Sequence, residues 1–144
     1  MPKDRRQARI LAMQALCQWD VQKDESPEAL AEFFAVAADC EVSSDAVAYA
    51  TDLVRGVWAS RQGIDELITT ATKKWELSRI SLVERNVMRV SIVEMLDDRA
   101  PPKVALNEAI EIGRAYGGAD SPRFINGVLD VILKRLKQEQ KDGN

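Results

Sequence analysis

Arg5, Arg6 and Arg9 stand together near the start of the chain, with only Asp4 beside them as a counter-charge. On a helical wheel they share an arc of about 100°. They fall in the first two turns of a helix, where the macrodipole disfavours cations by a few tenths of a kcal/mol. Such a cluster gains little within the fold and suits an external anion; the alternative is a solvated positive face. A second set lies at Tyr116–Phe124, YGGADSPRF, where one helix stops at paired glycines and another begins almost at once. The corner is read either as a polar clasp through Asn126 that sets the angle of two packed helices, or as a surface presented by Ala119–Arg123 between Tyr116 and Phe124.

The residue inventory excludes much else. Histidine is absent, which removes the commonest general base and metal ligand and every Ser-His or Cys-His pairing. Cys17 and Cys40 lack CxxC spacing and read as free thiols packed like small hydrophobes. No metal, cofactor or catalysis is expected from this set. A net charge of −3 gives no global field for nucleic acid, so such binding needs a local patch. No apolar run reaches membrane-spanning length and no signal-peptide core follows Met1, so the expectation is a cytoplasmic protein.

The elements that must position these residues are helical. At 46% hydrophobic and 30% charged, 144 residues suit one globular domain with a real core. Arg5–Gln22 has Ala8, Ala12, Ala15, Leu16 and Trp19 on one face, with the three arginines expected to be exposed. Ser26-Pro27-Glu28 starts a helix with Leu30, Phe33, Phe34 and Ala37 inward. Ser43-Ser44-Asp45 starts another, with Ala46, Tyr49 or Ala50, Leu53, Val54 and Val57 inward and Gly56 marking close packing. The pattern breaks or kinks near Gln62-Gly63 and resumes through Ile64, Leu67, Ile68 and Ala71. No segment alternates with period two, so no strand is expected.

Ser81-Leu82-Val83-Glu84 forms a capping box, and the helix that follows to about Asp98 is apolar nearly all round, which puts it at the centre of a bundle. Arg99-Ala100-Pro101-Pro102 ends it. The next helix buries Ala105, Ala109, Ile112 and Tyr116, then stops at Gly117-Gly118, where left-handed glycine would end it without a Cβ penalty. Ser121 can cap the last helix, with Pro122 at its first position and Ile125, Val128 or Leu129, Ile132 and Leu136 inward. Gly127 within it suggests a close approach by a neighbouring helix. The polar tail at 139–144 is expected to fray.

Three stretches, RRQARILAMQALCQWD, WELSRISLVERNVMRV and KVALNEAIEIGRAYGGADSPRFINGVLD, together resemble the NusB family of bacterial transcription antitermination factors. The similarity covers both ends and the middle, in matching order and spacing, and is weak over residues 22–44. The resemblance implies an all-α fold of about seven helices in two small bundles, divided near 1–72 and 73–138, and no catalysis. It implies binding of boxA-type RNA together with NusE, a ribosomal small-subunit protein. It further implies assembly with other Nus factors on the RNA polymerase elongation complex, in support of antitermination during ribosomal RNA synthesis. Carried over by motif, the RNA side falls on Arg5, Arg6, Arg9, Arg89, Tyr116, Asp120, Arg123 and Phe124. The NusE side falls on Cys17, Val21 and Glu84.

Arginine can grip phosphate and stack on bases, an aromatic can stack on an unpaired base, and an aspartate can accept from a base amino group. Each assignment has an alternative: Tyr116 and Phe124 as core, Glu84 as no more than a capping residue, Asp120 as a loop cap. The chain departs from the family at Cys17, where tyrosine is common, at Val93, where an aromatic is common, and in a basic start interrupted by Gln7. A homodimer through the RNA face is a further assembly left open. Two other functional classes remain: a protein-interaction module without RNA binding, and the ribosomal RNA cytosine methyltransferases that carry a NusB-like domain. The latter would need a glycine-rich cofactor turn that is missing from this sequence.

Overall fold

Helix-forming periodicity is realised throughout the computed structural model, which describes residues 2–23, 42–73 and 75–143. Among these the helices are α1 (Pro2–Gln22), α2 (Ser44–Ala59), α3 (Arg61–Ala71), α4 (Leu82–Leu96), α5 (Pro102–Tyr116) and α6 (Ser121–Asp142). A 3-10 turn spans Leu77–Arg79, and no strand occurs among the described residues. The expected helix after Ser26-Pro27-Glu28, with Leu30, Phe33, Phe34 and Ala37, lies outside the described residues, as does Cys40. The last helix spans Ser121–Asp142.

The centre is α4. Every residue from Asn86 to Met95 is buried, and α1, α2, α3, α5 and α6 all pack against it. One hydrophobic cluster joins Ala12 and Leu16 of α1, Leu53 of α2, Ile64 of α3, Met88 and Ile92 of α4, and Ile125 and Leu129 of α6. The break expected near Gly63 falls at Ser60, after which α3 turns to pack on α4 and α6. Gly56 is the close approach foreseen for α2: a Cβ there would sit 2.9 Å from Val93 Cγ2. Smaller Val93 in place of an aromatic thus suits this contact. Trp19 is half-buried and meets Trp58 edge-to-face at 5.1 Å.

Four local expectations at the α5–α6 corner are corrected. No described glycine has positive φ; Gly117 ends α5 at φ −97°, ψ −167°. Glycine is needed there for space, since a Cβ would collide with Ser121 Oγ and lie 2.8 Å from the Gly113 carbonyl. Ser121 is the first residue of α6, and its hydroxyl accepts from the Gly118 N–H at 3.0 Å. Gly127 faces open space; the tight approach is at Gly113, where a Cβ would strike Ile125 Cδ1. Asn126 is exposed, so it forms no buried clasp.

These facts give opposite expectations for two similar substitutions. Gly127→Ala should stabilise the protein by up to about 1 kcal/mol through helix propensity alone. Gly117→Ala should destabilise it by about 1–3 kcal/mol, as overpacking does when backbone cannot yield. Thermal melts of the two variants should move in opposite directions; a shift of the same sign would contradict the packing described.

Candidate nucleic-acid and partner interface

The basic start of α1 divides into residues with different work. Arg5 is exposed, with its guanidinium 3.7 Å over the Tyr49 ring. Arg6 is half exposed; Nε donates to Glu108 Oε1 at 3.1 Å and Nη2 to Oε2. Nη1 takes no part in that pair. Arg9, expected at the surface, is only 6% exposed. It donates from Nε and Nη2 to Glu94, at 2.8 and 3.0 Å, and from Nη1 to Glu108 at 3.0 Å.

The reason is that α1 is gripped more widely than its alanine face suggests. Met13 and Leu16 are buried along with Ala8 and Ala12, and Arg9 lies within that arc. Burial alone would push the Arg9 guanidinium down, but hydrogen bonds and charge from Glu94 outweigh it, with Glu108 adding to them. Tyr49 donates its hydroxyl to Glu94, and burial followed by that bond pushes its own pKa up to about 12. Glu108 is held below the usual carboxylate range chiefly by the Arg6 hydrogen bond. Its contribution to stability is therefore full above that range and is lost as pH falls through the lowered pKa.

Arg89 is likewise a buried structural cation, 3% exposed. Nε and Nη2 form a fork onto Asp65 of α3 at 2.9 and 3.0 Å. Nη1 donates to Asp20 of α1 at 2.8 Å and to Asn86 Oδ1 at 2.9 Å. An arginine engaged on all sides by its own protein is poorly placed to meet phosphate. Arg9 and Arg89, both on the RNA side that the resemblance implies, are thus buried.

Of the remaining candidates, Arg6 and Tyr116 come together from distant parts of the chain. Arg6, Ile10, Arg114 and Tyr116 line a surface cavity of about 230 Å³ between α1 and the end of α5. Tyr116 is 46% exposed and so is not the core residue its spacing suggested. Asp120 and Arg123 are exposed at the start of α6, and the Asp120 side chain makes no capping hydrogen bond. Phe124 is half-buried, packed on the core from one side and against Trp75 from the other, with ring centroids 6.0 Å apart.

Glu84 ties this corner to α4. Ser81 caps α4 by accepting from the Glu84 N–H at 3.1 Å and donates its hydroxyl to Glu84 Oε1 at 2.9 Å. The glutamate does not reach back to the Ser81 amide as a full capping box would. Its other oxygen accepts from Ser121 Oγ at 2.8 Å. Ser121→Ala leaves both Glu84 Oε2 and the Gly118 N–H without that partner, so it should cost about 1–2 kcal/mol. Chemical denaturation checks this, and a neutral variant would mean that the bridge adds nothing.

Cys17 and Val21 lie further along α1. Cys17 is half-buried with Sγ 3.4 Å from the Leu82 carbonyl, and burial pushes its thiol above the ordinary value. Val21 is 68% exposed. Glu94, Glu108, Asp20, Asp65 and Trp75 were not among the sequence-derived candidates. A signal existed for the first: a glutamate and an arginine inside a helix apolar all round must each find a buried partner.

Comparison with known proteins agrees over nearly the whole chain. The family model described as NusB family matches residues 6–134. A transcription antitermination protein NusB from Desulforapulum autotrophicum is 42% identical over 142 residues, covering 96% of this chain and 99% of that protein. Among solved structures, T. maritima NusB overlays with a TM-score of 0.81 at 37% identity, covering 90% of each chain. A chain in a crystal structure of antitermination factors NusB and NusE in complex with dsRNA overlays with a TM-score of 0.81 at 28% identity, covering 94% of this chain and 99% of that one. With its central α4, its α5–α6 corner and this near full-length likeness in both sequence and backbone, the chain belongs to the NusB family.

Proposed function

We propose that this protein is a transcription antitermination factor that binds boxA-type single-stranded RNA together with NusE, in support of RNA polymerase processivity on ribosomal RNA operons. The observation that supports the reading is the likeness, over 94% of this chain, to a chain in a crystal structure of NusB and NusE in complex with dsRNA; that the RNA is single-stranded and boxA-type comes from the family resemblance. RNA contacts fall to Arg5, Arg6, Tyr116, Asp120, Arg123 and Phe124, which reach the surface in whole or part. Phosphates meet the guanidinium groups, and unpaired bases stack on the aromatic rings. Arg9 and Arg89 act beneath that surface by holding α1 against α4, and α4 against α3. NusE meets Val21 and the half-buried Cys17 on α1 together with the Glu84 end of α4. The role is one of binding and assembly; no side chain is assigned a catalytic step. No described helix is long and apolar enough to cross a membrane.

A second reading, a protein-interaction module without RNA binding, draws on Glu108 and Glu111, which flank Arg6 and offset its charge. One titration separates the two. Boxa-type RNA and a scrambled RNA of the same length are titrated with the protein alone and then with NusE. The antitermination reading expects preference for the boxA sequence that strengthens when NusE is present. NusE binding with no RNA preference in either condition would favour the interaction module.

A further inference from the structure

We propose that Trp75 is a stacking seat for an unpaired base of the bound RNA, an inference that rests on the RNA-binding reading above. The chain has three tryptophans. Trp19 and Trp58 are half-buried against each other. Trp75 differs: it is 55% exposed on the segment that leads into the 3-10 turn. It does not hang free, because its ring lies against Phe124 at 6.0 Å with a tilt of 34°. Phe124 in turn packs on the hydrophobic core. The indole is thus braced on one side and open on the other. Such a preset flat surface gives a base stacking area with little ordering cost.

The surroundings favour a nucleic acid strand over other occupants. Lys73, Arg79 and Arg123 are exposed close to Trp75 and Phe124 in sequence. Among the described residues, no carboxylate lies within ion-pair distance of any of the three. This contrasts with the buried Arg9 and Arg89, whose charges are already answered within the protein. Glu76, also exposed, cannot hold phosphate but can accept from a base amino group. The seat is continuous with Arg123 and Phe124, so a strand that crosses the α5–α6 corner would meet Trp75 next. A stacking seat accepts any base, because every base has a π-face.

The test compares wild type, Trp75→Phe and Trp75→Ala for binding of boxA-type RNA with NusE present. Trp75→Ala should weaken binding by about 5- to 150-fold, the range for removing one base–aromatic stack, and Trp75→Phe should weaken it less. The salt slope should stay unchanged, since stacking releases no counterions. RNA should quench the tryptophan fluorescence of wild type, and that quenching should be lost in Trp75→Phe. NusE affinity and melting temperature should match wild type in both variants. Wild type that binds RNA while Trp75→Ala binds it equally well overturns the stacking seat and leaves the RNA reading standing. A variant that loses NusE affinity instead assigns Trp75 to a protein contact and also overturns it. Wild type that binds no boxA-type RNA overturns the reading on which the proposal rests.

Discussion

Arg9→Ala should lower folding stability by about 3–5 kcal/mol, the usual cost of breaking one side of a buried ion pair. The variant leaves Glu94, with no exposure to solvent, facing only the Tyr49 hydroxyl where it had two further donors. It also takes one of two arginines from Glu108. Helix propensity and the macrodipole both favour the change, but by less than about 1 kcal/mol together, so they do not reverse the sign. Arg5→Ala is the control: it removes an exposed cation from the same turns and should cost well under 1 kcal/mol. Urea denaturation of the two variants checks the difference. If Arg9→Ala unfolds like wild type and yet binds RNA less well, Arg9 is a surface contact and the buried pair is wrong.

Arg89→Met should cost about 3 kcal/mol, the low end for a broken buried pair. Three helices lose a shared bond: α4 to Asp65 on α3, and α4 to Asp20 on α1. Asp65 is 27% exposed at its side chain, so water can replace part of what it loses. Asp20, at 7%, keeps Asn86 Nδ2 at 2.8 Å and has Arg85 at 3.7 Å, which softens the loss there too. Arg89→Lys restores the charge but not the fork, and should recover only part of the difference. Equilibrium unfolding gives both values; a lysine variant as stable as wild type would mean that charge alone suffices.

These two arginines mark the limit of what periodicity can reveal. The inward faces of α2, α5 and α6 were legible because their apolar residues repeat at helical spacing, and α4 was legible as the centre because it lacks a polar face. Arg9 and Glu94 meet across 85 positions, and nothing in the local pattern of α1 names the acid that will bury its arginine. The glycines teach the same lesson. Gly127 is the residue that costs helix propensity and so draws attention, whereas the neighbour that matters, Ile125 against Gly113, appears only once α5 and α6 are packed. At the candidate interface, the Tyr116–Phe124 corner stood out through its residue types. Trp75 did not, because its meaning lies in a ring 49 positions away.

On the proposed RNA face, Arg6 and Arg123 meet phosphates while the buried arginines hold the frame. The most direct measurement is the affinity for boxA-type RNA, with NusE present, across a range of salt concentrations for wild type and the double variant Arg6→Ala, Arg123→Ala. Each phosphate contact on single-stranded RNA contributes roughly −0.7 to the slope of log affinity against log salt, so the double variant should be shallower by about 1.4 and bind more weakly. Its melting temperature should fall only slightly, since Arg123 is exposed and the half-exposed Arg6 gives up one surface ion pair with Glu108, which keeps Arg9. A well-folded double variant with wild-type affinity and an unchanged salt slope would contradict the account.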